Sequence, residues 1–118
     1  MGKRYSELLE GTPGIQLPLA RTEYAENIYW VYGIVLDDEV PFNAKEAMAR
    51  LGKLGIGSRP FFWPMHEQPV LREMGLFAGE TYPVAERMAR RGFYIPSGMA
   101  LNDAQIDEVA EAVRGIMQ

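Results

Sequence analysis

The residues best suited to chemistry lie in one irregular segment, residues 57–69, with the sequence Gly-Ser-Arg-Pro-Phe-Phe-Trp-Pro-Met-His-Glu-Gln-Pro. It combines three aromatic side chains and three prolines with Arg59 and with His66, the only histidine of the chain. Prolines restrict the backbone, and rigid loops that carry aromatic and cationic side chains commonly line ligand sites. The Arg59 guanidinium suits a phosphate or carboxylate, and His66 can donate to a hydroxyl or a phosphate. The segment is therefore a candidate ligand-binding wall.

The same residues also permit a purely structural interpretation. Buried aromatic side chains usually belong to a core. Phe61, Phe62 and Trp63 would then fill the edge of a core, and His66 would be satisfied by an internal hydrogen bond. Composition and spacing by themselves favour this interpretation.

No complete catalytic set accompanies the segment. The chain lacks cysteine and has one histidine, which excludes disulfides, thiolate nucleophiles and a two-histidine zinc site built from this chain alone. It contains no dinucleotide fingerprint, phosphate loop or nucleophile elbow. A Schiff-base lysine needs a desolvated, partnered position, and Lys3, Lys45 and Lys53 have helical contexts without one. We expect no catalytic residue, no metal and no covalently held cofactor in these residues.

Composition indicates an ordinary globular domain. With 118 residues, 47% of them hydrophobic and 24% charged, the chain fits a single domain. Its net charge of −4 disfavours nucleic acids and anionic membranes as partners. The longest apolar run, Ile28 to Leu36, is too short to cross a bilayer, and we expect a cytoplasmic protein.

The elements that must position the segment alternate between strands and helices. Residues 27–37, rich in β-branched and aromatic types, predict a central strand that is apolar on both faces. Capping boxes predict helices that begin after Asn43, with Glu46, and after Asn102, with Gln105. Further predictions are a helix at 3–10, an extended piece at 56–62, a helical stretch within 64–74, a helix at 83–92 and a strand at 93–95. Together they predict an α+β fold, a small antiparallel or mixed sheet with helices packed on one face.

Four stretches, in this order and spacing, carry a family resemblance over nearly the whole chain. The first is Tyr-Ala-Glu-Asn-Ile-Tyr-Trp-Val-Tyr-Gly-Ile at 24–34, and the others are residues 54–69, 82–98 and 101–109. They resemble the DegT family of sugar-nucleotide aminotransferases. The resemblance implies that residues 1–118 are a single domain, the C-terminal small domain of a fold-type I aminotransferase whose large cofactor-binding domain is absent.

The resemblance also implies an activity. Members use pyridoxal phosphate to move an amino group from glutamate to a keto-sugar nucleotide, with the cofactor held by the large domain. The fragment alone would then bind no cofactor and be inactive. The full-length protein, with its large domain and the sugar nucleotide as partners, would be a homodimer. On this basis Arg59 and His66 are expected to meet substrate, and Phe62 or Trp63 to line the sugar pocket.

Residues 59–66, Arg-Pro-Phe-Phe-Trp-Pro-Met-His, are similar to members that aminate C4 of a 4-keto-6-deoxy sugar, such as perosamine synthases. Members resembling 3-aminotransferases often carry His-Tyr-Pro where Pro60, Phe61 and Phe62 stand here. Two alternatives remain: a free-standing binding or interaction module without enzyme activity, and the small domain of another pyridoxal-phosphate enzyme. If a neighbouring domain is missing, we expect exposed apolar surface near the first helix and around residues 61–65.

Overall fold

Four strands form one antiparallel sheet in the computed structural model, which describes residues 1–118. The strands are β1 (Ile15–Gln16), β2 (Tyr32–Leu36), β3 (Arg59–Pro60) and β4 (Gly92–Ile95), in the spatial order β1-β2-β4-β3. The helices are α1 (Gly2–Leu9), α2 (Ala44–Lys53), α3 (Pro69–Glu73), α4 (Pro83–Arg91) and α5 (Asp103–Ile116), with a 3-10 turn at Met65–Glu67. The α+β prediction is confirmed. None of the helices is long and apolar enough to span a membrane.

The core lies between one face of the sheet and helices α1, α2 and α5. Successive side chains of a strand point to opposite faces. Along β2, the fully buried Tyr32, Ile34 and Leu36 belong to this core. Positions 33 and 35 face the other side of the sheet, where Gly33 and Val35 line a groove that α4 also borders. The prediction of helices on one face therefore holds for α1, α2 and α5, whereas α4 lies beside the opposite face.

Local sequence signals predicted the starts of α2 and α5 correctly. Asn43 with Glu46 and Asn102 with Gln105 form complete capping boxes at the starts of α2 and α5. Each box satisfies backbone N–H groups that a helix leaves unpaired at its first turn. Pro69 opens α3, where a proline costs no hydrogen bond.

The central strand is shorter than predicted, because residues 27–31 leave the sheet. The Asn27 side chain donates to Leu19 O (3.0 Å) and accepts from the Tyr29 N–H (2.7 Å). Tyr29 adopts a φ of 51°, in the left-handed region, which interrupts an extended strand. Consequently Ile28 and Trp30 are exposed rather than buried. The strand is nevertheless central, as predicted, since β2 lies between β1 and β4.

The connection between β2 and α2 folds around the side chain of Arg91, at the end of α4. Its guanidinium donates to the carbonyls of Phe42 (2.8 Å), Val40 (3.0 Å) and Asp37. Three carbonyls of one connection are thus held by a single side chain from another element. This interaction fixes the path of the chain between the central strand and α2.

Helix α1 packs against α5 rather than remaining exposed. Arg4 forms a two-pronged pair with Asp107 (2.8 and 2.7 Å), which lowers the pKa of that carboxyl. Tyr5 is fully buried and donates to Pro96 O, and its burial raises its pKa to about 12. The expected apolar surface lies beside the start of α1, where Ile28 and Met99 are exposed.

Candidate functional site

The open face of the sheet carries an apolar groove of about 760 Å³. Its floor includes Gly33, Val35 and Tyr94 from the two central strands, and Phe61 and Phe62 form part of its wall. Phe62 is 78% exposed, and its neighbours Trp63 and Met65 are exposed as well. The apolar surface expected around residues 61–65 is therefore present.

Two glycines create the seat of Phe61. The aromatic ring of Phe61 stacks on Tyr94, with 4.6 Å between ring centroids, over the paired strands β2 and β4. A Cβ on Gly33 would lie 2.8 Å from the Phe61 ring, and a Cβ on Gly92 would lie 2.5 Å from the ring and 2.5 Å from Met88 O. Only residues without a side chain allow the ring to approach the sheet this closely.

Arg59 lies in a second groove, of about 500 Å³, that adjoins the first. Both grooves are lined by Val31 and Tyr94, and the second adds Ser58 and Ser97. Arg59 is exposed at the edge strand β3 and forms no ion pair within the chain. The combined surface is thus apolar at the phenylalanines and cationic at Arg59.

Trp63 faces a different hollow from Phe62. It lines a depression with Pro60, Met48 and Arg90, between α2 and α4. The structure therefore brings Phe62 and Arg59 into adjoining grooves and directs Trp63 elsewhere. Both aromatic side chains are too exposed to be the core plug that the structural interpretation requires.

His66 is 7% exposed and is held by α4. Its Nε2 lies 2.9 Å from Glu86 Oε1, and the same oxygen accepts from the Tyr82 N–H at 2.8 Å. Donation from the Tyr82 backbone and from His66 lowers the pKa of Glu86. His66 has the internal partner that the structural interpretation expects, and Glu86 connects it to the start of α4.

One turn further along α4, Arg90 contacts the same segment. It donates to both carboxylate oxygens of Glu67 (2.8 and 3.1 Å), and its guanidinium lies 5.1 Å from the centroid of the Trp63 ring. His66, Glu67 and Glu86 place potential metal-ligand atoms within 4.8 Å of one another. Arg90 and the Tyr82 N–H already engage the two carboxylates, so the cluster is a hydrogen-bond network that contains one ion pair, between Arg90 and Glu67.

The network makes a pH-dependent contribution to stability. Folding lowers the pKa of the Glu86 carboxyl from its ordinary value of 4.5. Such a carboxyl stabilises the folded state fully at pH values above the ordinary pKa. The stabilisation is lost as the pH falls through the lowered pKa of the folded state. We expect Glu86→Gln to reduce the thermal midpoint at neutral pH, with the difference from the parent shrinking under acid. The measurement is thermal unfolding from neutral pH to about pH 3. Glu108→Gln, at an exposed position of α5, serves as the control; a pH-independent difference for Glu86→Gln would contradict the assignment.

Sequence reasoning missed Glu86, Arg90 and the two glycines. The spacing of Glu86 and Arg90 by four residues did indicate one helix face. Their partners lie 20 and 23 residues away, and no local pattern reveals such pairs. The glycine seat depends on two strands that are distant in sequence.

Comparison with known families identifies the class of protein. Residues 1–114 match the model of the DegT/DnrJ/EryC1/StrS aminotransferase family, and the chain belongs to this family.

Among individual relatives, the chain is 30% identical over 86 residues to the GDP-perosamine synthase of Vibrio cholerae and 29% identical over 91 residues to that of Caulobacter vibrioides. These alignments cover 73% and 77% of the chain but only 23% and 24% of the relatives. The chain thus spans about a quarter of the length of these two relatives.

Solved structures share the fold. DesV of S. venezuelae is 25% identical, with a TM-score of 0.78, over 99% of this chain and 30% of its own. Spr1654 of Streptococcus pneumoniae in its PLP form has a TM-score of 0.82 at 20% identity, over 98% of this chain and 29% of its own. The α+β arrangement therefore occurs as part of larger proteins.

Proposed function

We propose that these 118 residues act as the C-terminal small domain of a cytoplasmic, homodimeric aminotransferase. The enzyme transfers an amino group from glutamate to C4 of a keto-deoxy-sugar nucleotide, and this domain contributes a wall of the substrate site. Family membership and the similarity to two GDP-perosamine synthases support the reaction class.

The observation that carries the proposal is the pair of adjoining grooves on the open face of the sheet. A sugar nucleotide has a deoxy-sugar with an apolar face and a diphosphate with negative charge. The exposed Phe62 supplies apolar surface, and Arg59, which has no partner in the chain, supplies a guanidinium for the phosphates. In this proposal both residues contact the substrate, and His66 contacts it through the ring nitrogen that Glu86 leaves free. Of the two aromatic candidates for the sugar pocket, Phe62 or Trp63, the proposal takes Phe62, because Trp63 faces the separate hollow between α2 and α4.

The residues present do not fit the covalent attachment of pyridoxal phosphate. All three lysines are exposed, on α1 and α2, and none has the desolvated position that a Schiff base requires. The proposal therefore assigns cofactor binding to a large N-terminal domain outside these residues, and it treats the 118-residue chain alone as inactive.

The test uses the full-length protein that contains this domain, supplied with pyridoxal phosphate, glutamate and a panel of keto-sugar nucleotides. We expect turnover of a 4-keto-6-deoxy substrate. Arg59→Ala should raise KM about tenfold or more, because a charge-assisted hydrogen bond is worth about 1.5–3 kcal/mol. Arg50→Ala, on α2 outside both grooves, is the matched control and should leave KM unchanged. No turnover of any member of the panel, or an unchanged KM in Arg59→Ala, would contradict the proposal.

A further inference from the structure

The hydrogen bond between His66 and Glu86 determines which ring nitrogen carries the proton. Glu86, with a lowered pKa, is ionised near neutral pH and can only accept. His66 Nε2, 2.9 Å from Glu86 Oε1, must therefore donate. In the neutral imidazole the other nitrogen, Nδ1, is then an acceptor.

No group of the chain uses this acceptor. His66 makes its side-chain hydrogen bond through Nε2 alone. Arg91 Nε is the only side-chain nitrogen or oxygen of the chain that is both fully buried and without a hydrogen-bond partner. Nδ1 of His66 also has no partner, so it is not fully buried and retains contact with solvent. The nearly buried ring thus keeps one acceptor nitrogen that no group of the chain occupies.

The other charged groups near the ring are engaged elsewhere. Glu67 Oε1 lies 3.9 Å from Nε2, beyond hydrogen-bond distance, and is bound by Arg90. Arg72 donates to the His66 backbone carbonyl rather than to the ring, and the Tyr82 ring packs beside it at 4.9 Å between centroids. Glu86 is therefore the sole side chain that determines which ring nitrogen of His66 carries the proton.

We propose that Glu86 is a positioning residue that holds His66 with Nε2 protonated, so that Nδ1 accepts a hydrogen bond from a hydroxyl of the sugar substrate. The hydroxyl as ligand rests on the proposed function, whereas the position of the proton does not. The backbone N–H of Tyr82 assists because it holds the same carboxylate oxygen at the start of α4. Glu86 itself contacts no substrate.

The proton position can be measured directly, because His66 is the only histidine. Long-range ¹H–¹⁵N NMR of the 118-residue chain, at a pH high enough for a neutral ring, should show the proton on Nε2. A ring with its proton mainly on Nδ1 would overturn the proposal without any variant. Glu86→Gln should increase the Nδ1-protonated fraction, and Glu67→Gln, the matched control, should leave it unchanged. A larger increase of the Nδ1-protonated fraction in Glu67→Gln than in Glu86→Gln would also overturn the proposal. Amide spectra verify that each variant is folded.

A second measurement separates this inference from the proposed function. In the full-length enzyme, Glu86→Gln should lower kcat/KM about tenfold, the loss expected from one misoriented hydrogen bond. The loss should be smaller for a substrate analogue that lacks the hydroxyl. An equal loss with both substrates would overturn the role of Nδ1 even where the enzyme is an active aminotransferase. Absence of any turnover would contradict the proposed function and leave the NMR result to decide the role of Glu86.

Discussion

Arg91→Ala should lower the free energy of unfolding by about 3 kcal/mol, because it removes several hydrogen bonds from a charged donor at once. The Phe42, Val40 and Asp37 carbonyls lose their shared partner, and they lie in the connection that leads to α2. Phe42 belongs to the core, so a change in this connection also disturbs apolar packing. Urea unfolding at neutral pH measures the effect.

Two further variants make the Arg91 result specific. Arg59→Ala removes the same side chain from an exposed position without a partner and should change stability by less than about 0.5 kcal/mol. Arg91→Lys retains the charge but not the planar fork, and it should recover only part of the loss. Equal effects of Arg91→Ala and Arg59→Ala would show that the three carbonyl contacts contribute nothing measurable.

Gly92→Ala should destabilise the domain by about 3 kcal/mol, the upper end of the cost of overpacking. The backbone of Gly92 (φ −101°, ψ 144°) suits alanine, so the cost is steric rather than conformational. The new Cβ would lie 2.5 Å from Met88 O and 2.5 Å from the Phe61 ring. Because a backbone oxygen yields less easily than a side chain, β4 or the end of α4 must shift. Urea unfolding gives the magnitude, and NMR ring-current shifts report the displacement of Phe61.

Further substitutions separate the contact with the Phe61 ring from the contact with Met88 O. Gly33→Ala would meet chiefly the Phe61 ring, so adding Phe61→Leu should restore stability there. The same second change should rescue Gly92→Ala only in part, since the contact with Met88 O remains. Gly57→Ala meets nothing within 4 Å and is the control. A Gly92→Ala protein as stable as the Gly57→Ala protein would refute the proposed seat of the ring.

How far the sequence predicts this fold depends on whether the signal is local. The capping residues Asn43 and Asn102 were predicted because each depends on neighbours within a few positions. The predicted strand was too long because the Asn27 side chain binds the backbone and Tyr29 turns into the left-handed region. Strand propensity carries no information on such competition.

The candidate site was likewise predictable only where its signal is local. The exposed aromatic residues and Arg59 stand out by their types, and the structure finds them at the surface. The contacts that position His66 and Phe61, by contrast, join distant segments: Glu86 with His66, and Gly33 and Gly92 with the Phe61 ring. Arg91 binds backbone carbonyls, which every residue possesses, so its partners leave no trace in the sequence.

The two contacts that α4 makes with residues 63–67 come from residues four positions apart on the helix, about 6 Å along its axis. Glu86 holds the imidazole of His66, and Arg90 holds Glu67 and lies near the indole of Trp63. A helix translates as a rigid unit, so a displacement of α4 carries the imidazole and the indole in the same direction. The imidazole of His66 and the indole of Trp63 thus depend on the position of one helix, and we expect a shift of α4 to move both.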